Sequence, residues 1–525
     1  MIDKYYNGVI EQVYGRVGKT ERNIVMASYN NDFSIENLEM IKRYQENDDS
    51  VFFAWHEFGY RELTGAYEPF LDTICNMFRK YREGDFDTFL TECGVYEPQR
   101  VVFRSYYENG ICDREEGVLL NEVEYEQGRM TETIAAMLKA LAKTHPIVLV
   151  INRFQMASRS AFELVYALIR QPDKNIGLVL GVNESVGRWE SIAEVWDGIV
   201  ESLEDHSQLY HIGSSNRRRT ELKEELALGE GYADNVYVDE NYEESICKVA
   251  NIVEFLDYDQ AERYFQGVEH KIKFEDAQME DSCKRKFYLL YARTSILLGE
   301  LSKALELVSE ATHMIPAENE FLYRSECDFL RATCYMYQGK LEKAEKYANL
   351  SYGRAMESED AKQVFRAALL KVMAKMSGWY NIFFCVQDIP IEAELIEKLM
   401  QYGYWNHLAH IYIYAYDNHP KVVAKAYRSE AALFYFSKGV DLAKKIGNEQ
   451  LVYDAYQKNI MLASTNGMNE IALLYSVRTY EFMKSRGDFH IGRLTSGIGY
   501  NLSAMGKNQI AEKYFDRAIE IFYEL

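Results

Sequence analysis

The sequence predicts a two-part protein: an N-terminal α/β domain built on a parallel sheet, followed by an all-α superhelical solenoid. Three observations carry that expectation. A spaced pattern recurs in the C-terminal half, a Gly, an Ala five residues on, a large residue four further and a small one three beyond: Gly506, Ala511, Phe515, Ala518 and Gly299, Ala304, Val308, Ala311, with a smaller residue at the third place in Gly339, Ala344, Ala348, Ser351 and Gly467, Ala472, Ser476, Thr479. In the N-terminal part, apolar runs at Ile24-Val25-Met26, Val51-Phe52-Phe53-Ala54-Trp55, Ile147-Val148-Leu149-Val150-Ile151 and Ile176-Gly177-Leu178-Val179-Leu180 alternate with helical stretches, the order that builds a parallel sheet. Finally, 48% hydrophobic residues with only 7 Pro in 525 residues describe a folded, helix-rich chain, long enough for two to four domains.

Taken in order, residues 1–22 are polar and of mixed charge, and Gly8-Val9-Ile10-Glu11-Gln12-Val13 reads as a weak strand. Gly18-Lys19-Thr20 has the tail of a phosphate-binding loop, but Val13 stands where the loop needs its first Gly. A better-formed unit follows. The strand Ile24-Val25-Met26 runs into a loop from Ala27 to Phe33, a helix from Ser34 through Gln45 with Ser34 as its cap, and the strand at 51–55. This strand-loop-helix-strand frame is the one on which phosphate loops are built.

On these residues the region 23–215 resembles a divergent nucleotide-binding domain of the AAA/STAND type. The stretch Gly59-Tyr60-Arg61-Glu62-Leu63-Thr64-Gly65-Ala66-Tyr67-Glu68-Pro69-Phe70-Leu71 is similar to the family's segment after its second strand. The strand at 147–151 with Asn152-Arg153 looks like the Walker B strand, and the run ending at Asn183 looks like the sensor strand. The resemblance implies a nucleotide site, and the departures from it bear on activity. Ala27, Asp32, Phe33 and Ser34 fall on the loop's first Gly, last Gly, Lys and Ser/Thr, so only the hydroxyl is kept. Asn152 and Arg153 replace the two acidic residues that hold Mg²⁺ and polarise water. Without a lysine for the β- and γ-phosphates or a carboxylate for the metal, the expectation is no ATP hydrolysis, no enzyme and no resident cofactor. Binding of ATP or ADP at Gly18, Lys19 and Thr20, as an ATP-dependent switch, is the alternative.

Residues 72–140 form a helical insertion whose Asp113, Glu115, Glu116, Glu122, Glu124 and Glu126 read as a solvated face. Arg217-Arg218-Arg219 reads as part of an exposed linker, giving an α/β domain at 1–215, a linker at 216–238 and repeats at 239–525. The recurring Gly-Ala spacing resembles the second half of the tetratricopeptide repeat, where small residues let two helices approach and Gly closes the turn between them. Gly299 to Gly339 is 40 residues and Gly467 to Gly506 is 39, which makes about seven pairs of somewhat long helices. Two of those pairs, in the middle, are less regular. Among 41 Tyr, the cluster Tyr404, Trp405, Tyr412, Tyr414 and Tyr416 is the expected contact surface for a protein or peptide ligand in the repeat groove. The final run Ile521-Phe522-Tyr523-Glu524-Leu525 leaves apolar residues where a next helix would sit, which points to a following output domain, a partner or a homo-oligomer.

The formal charge of −22, from 59 basic against 81 acidic residues, opposes adhesion to nucleic acid or to an anionic membrane. The start has no signal-peptide pattern and no apolar run is long enough to span a bilayer, so the expected location is cytoplasmic. Eight Cys without a Cys-x-x-Cys pair, and His without a His-Glu-x-x-His, give no metal site. The reading is a bacterial signalling scaffold: a pseudo-ATPase domain joined to a peptide-binding solenoid, with a purely structural interaction module as a further alternative.

Overall fold

A computed structural model describes residues 2–29, 50–59, 63–112, 123–183, 192–212, 241–274, 279–315, 320–360, 430–465, 467–483 and 489–524, with isolated positions at 35–38, 40–41, 43–44, 120 and between 363 and 413. The chain divides into two compact units, Met1–Val95 with Gln99–Glu318, and Tyr96–Pro98 with Asn319–Leu525.

The first unit is built on five parallel strands, β1 (Ile24–Tyr29), β2 (Phe52–Glu57), β3 (Ile147–Asn152), β4 (Ile176–Asn183) and β5 (Leu209–Ile212), in the order β2-β3-β4-β1-β5. Its helices are α1 (Ile2–Arg16), α2 (Phe70–Tyr81), α3 (Phe86–Glu92), α4 (Glu97–Asn109), α5 (Val123–Ala142), α6 (Arg159–Arg170) and α7 (Ala193–Asp205). Strands β1, β3 and β4 are buried along their whole length, as apolar runs covered on both faces must be. Alternation assigns the faces. Ile24, Met26, Leu149, Ile151, Leu178 and Leu180 join the core of the helical insertion, whereas Val25, Ala27, Tyr29, Val148, Val150 and Val179 join a second core with α1.

Helix α1 corrects the reading of residues 8–13 as a strand. Tyr6, Val9, Ile10, Val13 and Val17 are buried at helical spacing, and this stripe packs on the sheet. Two glycines admit it. On the α1 face of β4, Gly177 and Gly181 stand where side chains would collide, a Cβ at Gly177 coming within 2.7 Å of Val13 Cγ1 and one at Gly181 meeting Tyr6 Oη. Four strand residues span about 13 Å and seven helix residues about 10 Å, so the helix spacing Tyr6 to Val13 fits the strand spacing Gly181 to Gly177.

Two further expectations change. Strand β1 runs three residues further than expected, so Ala27 lies inside the strand, paired with Gly181 and Tyr210, and not in a loop. The segment expected as a helix from Ser34 through Gln45 opens with a 3-10 turn, Ile35–Asn37, and is α-helical at Met40, Ile41, Arg43 and Tyr44; Asp32, Phe33 and Ser34 lie outside the described residues. In the insertion, Glu126 is not solvated: it is 3% exposed and accepts a hydrogen bond from Gln99 Nε2 at 3.1 Å. Asp113, Glu115 and Glu116 lie outside the described residues, as do Glu122 and the side chain of Glu124.

The helical repeats begin with α8 (Tyr242–Glu254), α9 (Tyr258–Phe274), α10 (Asp281–Leu297) and α11 (Leu301–His313), which belong to the first unit. A buried carboxylate anchors them there. Asp257, in the α8–α9 turn, accepts from Ser160 Oγ at 2.6 Å and from Ser160 N at 3.2 Å at the start of α6. The second unit contains α12 (Glu320–Tyr337), α13 (Leu341–Ser358), α14 (Glu430–Ile446), α15 (Glu449–Thr465), α16 (Asn469–Met483), α17 (Phe489–Ala504) and α18 (Asn508–Glu524). The solenoid pattern holds at the level of side chains: Ala304, Val308, Ala311, Ala344, Ala348, Ser351, Ala472, Ser476, Thr479, Ala511 and Ala518 are all buried, while Phe515 is partly exposed. On α18, Ile510, Ile519, Phe522 and Tyr523 are exposed.

Gly299, Gly339, Gly467 and Gly506 all have φ between +69 and +79, the left-handed turn between paired helices. Nothing lies within 4 Å of a Cβ built at Gly339, so Gly339→Ala costs conformation alone, about 1 kcal/mol. Gly353, inside α13 and equally open, gives the opposite sign, a gain of about 0.5–1 kcal/mol on Gly353→Ala. Urea unfolding of the two variants beside the wild type checks both signs.

Candidate functional site at the strand ends

In an open parallel sheet, ligands bind beyond the carboxyl ends of the strands, where connections leave neighbouring strands in opposite directions. Here β1 connects toward β2 at one edge while its neighbour β4 connects toward β5 at the other, so the crevice falls at the ends of β1 and β4. Register brings four residues there: Tyr29 pairs with Asn183 across β1 and β4, and Glu57 pairs with Asn152 across β2 and β3.

Tyr29, Asn152 and Asn183 are buried, and each has a hydrogen-bond partner at the strand ends. Tyr29 Oη donates to Asn152 Oδ1 at 2.5 Å, and both residues are fully buried. Gln155 spans the next gap, its Nε2 donating to Asn183 O at 3.0 Å and its Oε1 accepting from Asn183 N at 3.4 Å. Tyr6 brings its ring edge-on to Tyr29, 6.2 Å between centroids. Burial, with the nearby Glu57 charge adding to it, pushes the Tyr6 hydroxyl far above the usual phenol range, so it stays protonated.

Arg153, the first residue after β3, has φ 54 and ψ 40, a left-handed conformation that an L-residue adopts at a cost. This turn aims its guanidinium at Glu57: Nη1 lies 3.0 Å from Glu57 Oε1 and donates to Phe58 O at 3.2 Å. The other oxygen of Glu57 accepts from Ile35 N at 2.8 Å. Ile35 opens the 3-10 turn after β1, so the Glu57 carboxylate satisfies an amide of that turn while it pairs with Arg153.

A Mg²⁺–nucleotide does not fit these residues. Glu57 would repel phosphate at the one described amide of the loop, and Asn152 and Arg153 present the metal with a carboxamide and a cation. Among the described residues no group of three or more His, Cys, Asp or Glu could hold a metal ion. The other loop, Gly18, Lys19 and Thr20, lies at the opposite end of the sheet, between α1 and the start of β1. Gly18 N donates to Lys174 O at 2.7 Å, Lys19 Nζ to Gly15 O at 2.8 Å, and Thr20 Oγ1 to Asn23 Oδ1 at 2.8 Å. It closes a turn, and no strand precedes it.

Of the expected contact cluster in the repeats, Trp405 and Tyr412 are half-buried helical residues, with Lys445 Nζ 5.5 Å above the Trp405 ring. Tyr404, Tyr414 and Tyr416 lie outside the described residues.

On the opposite face of β2, His56 stands 3.7 Å from Glu68 and edge-on to Phe58. Burial holds its pKa below the ordinary imidazole value, with Glu68 opposing. A depressed folded pKa contributes stability that is present above the unfolded value of about 6.5 and is lost as pH falls through the window below it. The urea midpoint is therefore expected to drop between about pH 7.5 and about pH 5.5, and His56→Gln to flatten that drop.

Fold and site together define the class: a parallel-sheet α/β domain, with the described side chains at its strand ends bonded among themselves, followed by tetratricopeptide-like helical repeats. No protein-family model matches the chain, and no curated protein matches it. Among solved structures it is similar to a signal transduction ATPase with numerous domains (STAND) carrying a tetratricopeptide repeat sensor, from Pyrococcus horikoshii. The two are 14% identical, with a TM-score of 0.46 and coverage of 98% of this chain and 88% of that one. A Rap protein complexed with competence and sporulation factor is 14% identical over 54% of this chain and 77% of its own, at a TM-score of 0.36. Aspartyl phosphate phosphatase F from Bacillus subtilis is 14% identical over 77% and 95%, at 0.33. Among the described residues no helix is long and apolar enough to cross a membrane.

Proposed function

We propose that this chain is a regulatory signalling scaffold of the bacterial cytoplasm, in which a pseudo-ATPase domain holds a tetratricopeptide-like array that recognises a peptide or protein. The observation that carries this reading is the Glu57 carboxylate on Ile35 N, paired with Arg153: the crevice supplies its own anion and its own counter-ion. On this reading the paired Glu57 and Arg153 oppose phosphate at the strand ends, and the domain's role is to present the repeats rather than to turn over nucleotide. Recognition then falls to the helical pairs, which offer extended side-chain surface.

The test is selection of peptides from a random display library on the full chain, followed by calorimetry with the enriched sequences. Enrichment of related peptides that bind stoichiometrically is the expected result. No enrichment in repeated selections would overturn the recognition role.

A further inference from the structure

Within the second unit, residues 320–358 of the pair α12–α13 carry six cations and six carboxylates, a local balance in a chain of formal charge −22, and the two signs are sorted onto different flanks. At its centre is Asp328 on α12, 1% exposed, which accepts from Arg331 Nη1 at 3.1 Å and from Arg354 Nη1 of α13. One buried carboxylate thus fixes two guanidiniums, each with five N–H donors, in a set orientation.

Beside them two tyrosines form a platform. The rings of Tyr335 and Tyr347 stack with centroids 5.5 Å apart. Lys343 Nζ lies 5.3 Å and Lys340 Nζ 5.9 Å from the Tyr335 ring, while Lys346 Nζ lies 5.6 Å and the Arg331 guanidinium 5.9 Å from that of Tyr347. Helical periodicity puts Lys343, Tyr347 and Arg354 on one flank of α13, with Lys346 at its margin, and turns Glu342 and Glu345 about 100° or more away. Glu320 and Glu357 stand at the helix ends remote from the connecting turn. One flank of the pair carries five cations, Arg331, Lys340, Lys343, Lys346 and Arg354, around the buried Asp328, with Glu357 one turn beyond Arg354.

We infer that this face of α12–α13 is the docking surface for a short acidic peptide segment, its carboxylates meeting Arg331, Lys343, Lys346 and Arg354 and its backbone crossing the Tyr335–Tyr347 stack. Length and charge select that partner. An 18-residue helix is about 27 Å long, room for roughly eight extended residues, whereas a long polyanion such as nucleic acid would run on over a strongly acidic protein and be repelled. The assignment rests on the reading of the repeats as a peptide-binding array and names the chemistry of the peptide.

The test is fluorescence anisotropy of labelled octaglutamate with the full chain at about 50 and about 200 mM NaCl, with octalysine and a single-stranded octanucleotide as comparators. Lys343→Glu/Lys346→Glu reverses two exposed charges on the face, and Lys507→Glu/Lys513→Glu reverses two on α17–α18, with circular dichroism checking the fold of each. Octaglutamate is expected to bind more weakly at the higher salt, and to lose about tenfold in affinity in the first variant and less than about twofold in the second. No binding to the wild type, equal loss in both variants, or equal affinity for the oligonucleotide overturns the inference. Display selection separates the two levels: enriched peptides that lack acidic residues overturn this inference and leave the recognition role standing, while no enrichment overturns both.

Discussion

Glu57→Ala is expected to lower the unfolding free energy of the sheet-bearing unit by about 3 kcal/mol. The Glu57 and Arg153 side chains are 14% and 15% exposed, so the guanidinium left behind would be largely buried with its carboxylate gone. Removing one member of such a pair costs far more than the intact pair contributes, because the remaining charge keeps its desolvation penalty. Ile35 N also loses its acceptor, adding about 1 kcal/mol. The comparison that isolates the charge is Glu57→Leu/Arg153→Leu, which removes both ions and is expected to recover most of the loss. Urea unfolding of the three proteins checks this; a single variant within about 1 kcal/mol of wild type would show that the pair is solvated and the crevice open.

The second large effect is steric. Gly181→Ala places a methyl group against Tyr6 Oη and 2.6 Å from Asn152 Oδ1, inside the bonded cluster that seals the strand ends. Neither neighbour is the loose end of a flexible chain: Tyr6 is buried in the α1 stripe and Asn152 is held by Tyr29. Overpacking of this kind costs about 3 kcal/mol and should loosen α1 from β4. In a Tyr6→Phe background the same substitution meets no hydroxyl, so its cost should fall by about 1 kcal/mol, a coupling that a double-mutant cycle measures. Equal costs in both backgrounds would place the strain elsewhere.

The sheet was legible because its strands are buried on both faces, and continuous apolar runs such as those at 147–151 and 176–182 have few other readings. The repeats were legible because a left-handed turn calls for Gly and close helix packing calls for small residues. Where the turn is built otherwise, the signal fails. The α8–α9 turn places Leu256 at φ 67 where the pattern has Gly, and among Ala261, Phe265 and Val268, buried at the repeat spacing, Val268 fills the last small place with a larger residue. Gly447, at φ 81, is followed by Val452, Tyr456 and Asn459, and again breaks the small-residue rule.

Helix α1 was misread although Tyr6, Val9, Ile10, Val13 and Val17 have helical spacing, because the valine- and isoleucine-rich stretch at 8–13 suggests a strand when read over six residues. The site was half visible. Asn152, Arg153 and Asn183 follow from the strand order, but Glu57 became a site residue only when β2 ran two residues past Trp55, and Tyr6 only through the tertiary contact of α1 with Gly181. Neither contact has a local sequence signal.

The most direct measurement is thermal unfolding of the wild type and of Lys19→Ala with and without millimolar ATP or ADP and Mg²⁺. A ligand at a hundredfold its dissociation constant stabilises the unit that binds it by about 2.7 kcal/mol, a visible shift. With Glu57 and Arg153 paired at the strand ends, and with Lys19 in a turn at the far end of the sheet, neither nucleotide is expected to move the transition of either protein. A shift in the wild type that Lys19→Ala abolishes would contradict the account and make the chain a nucleotide switch.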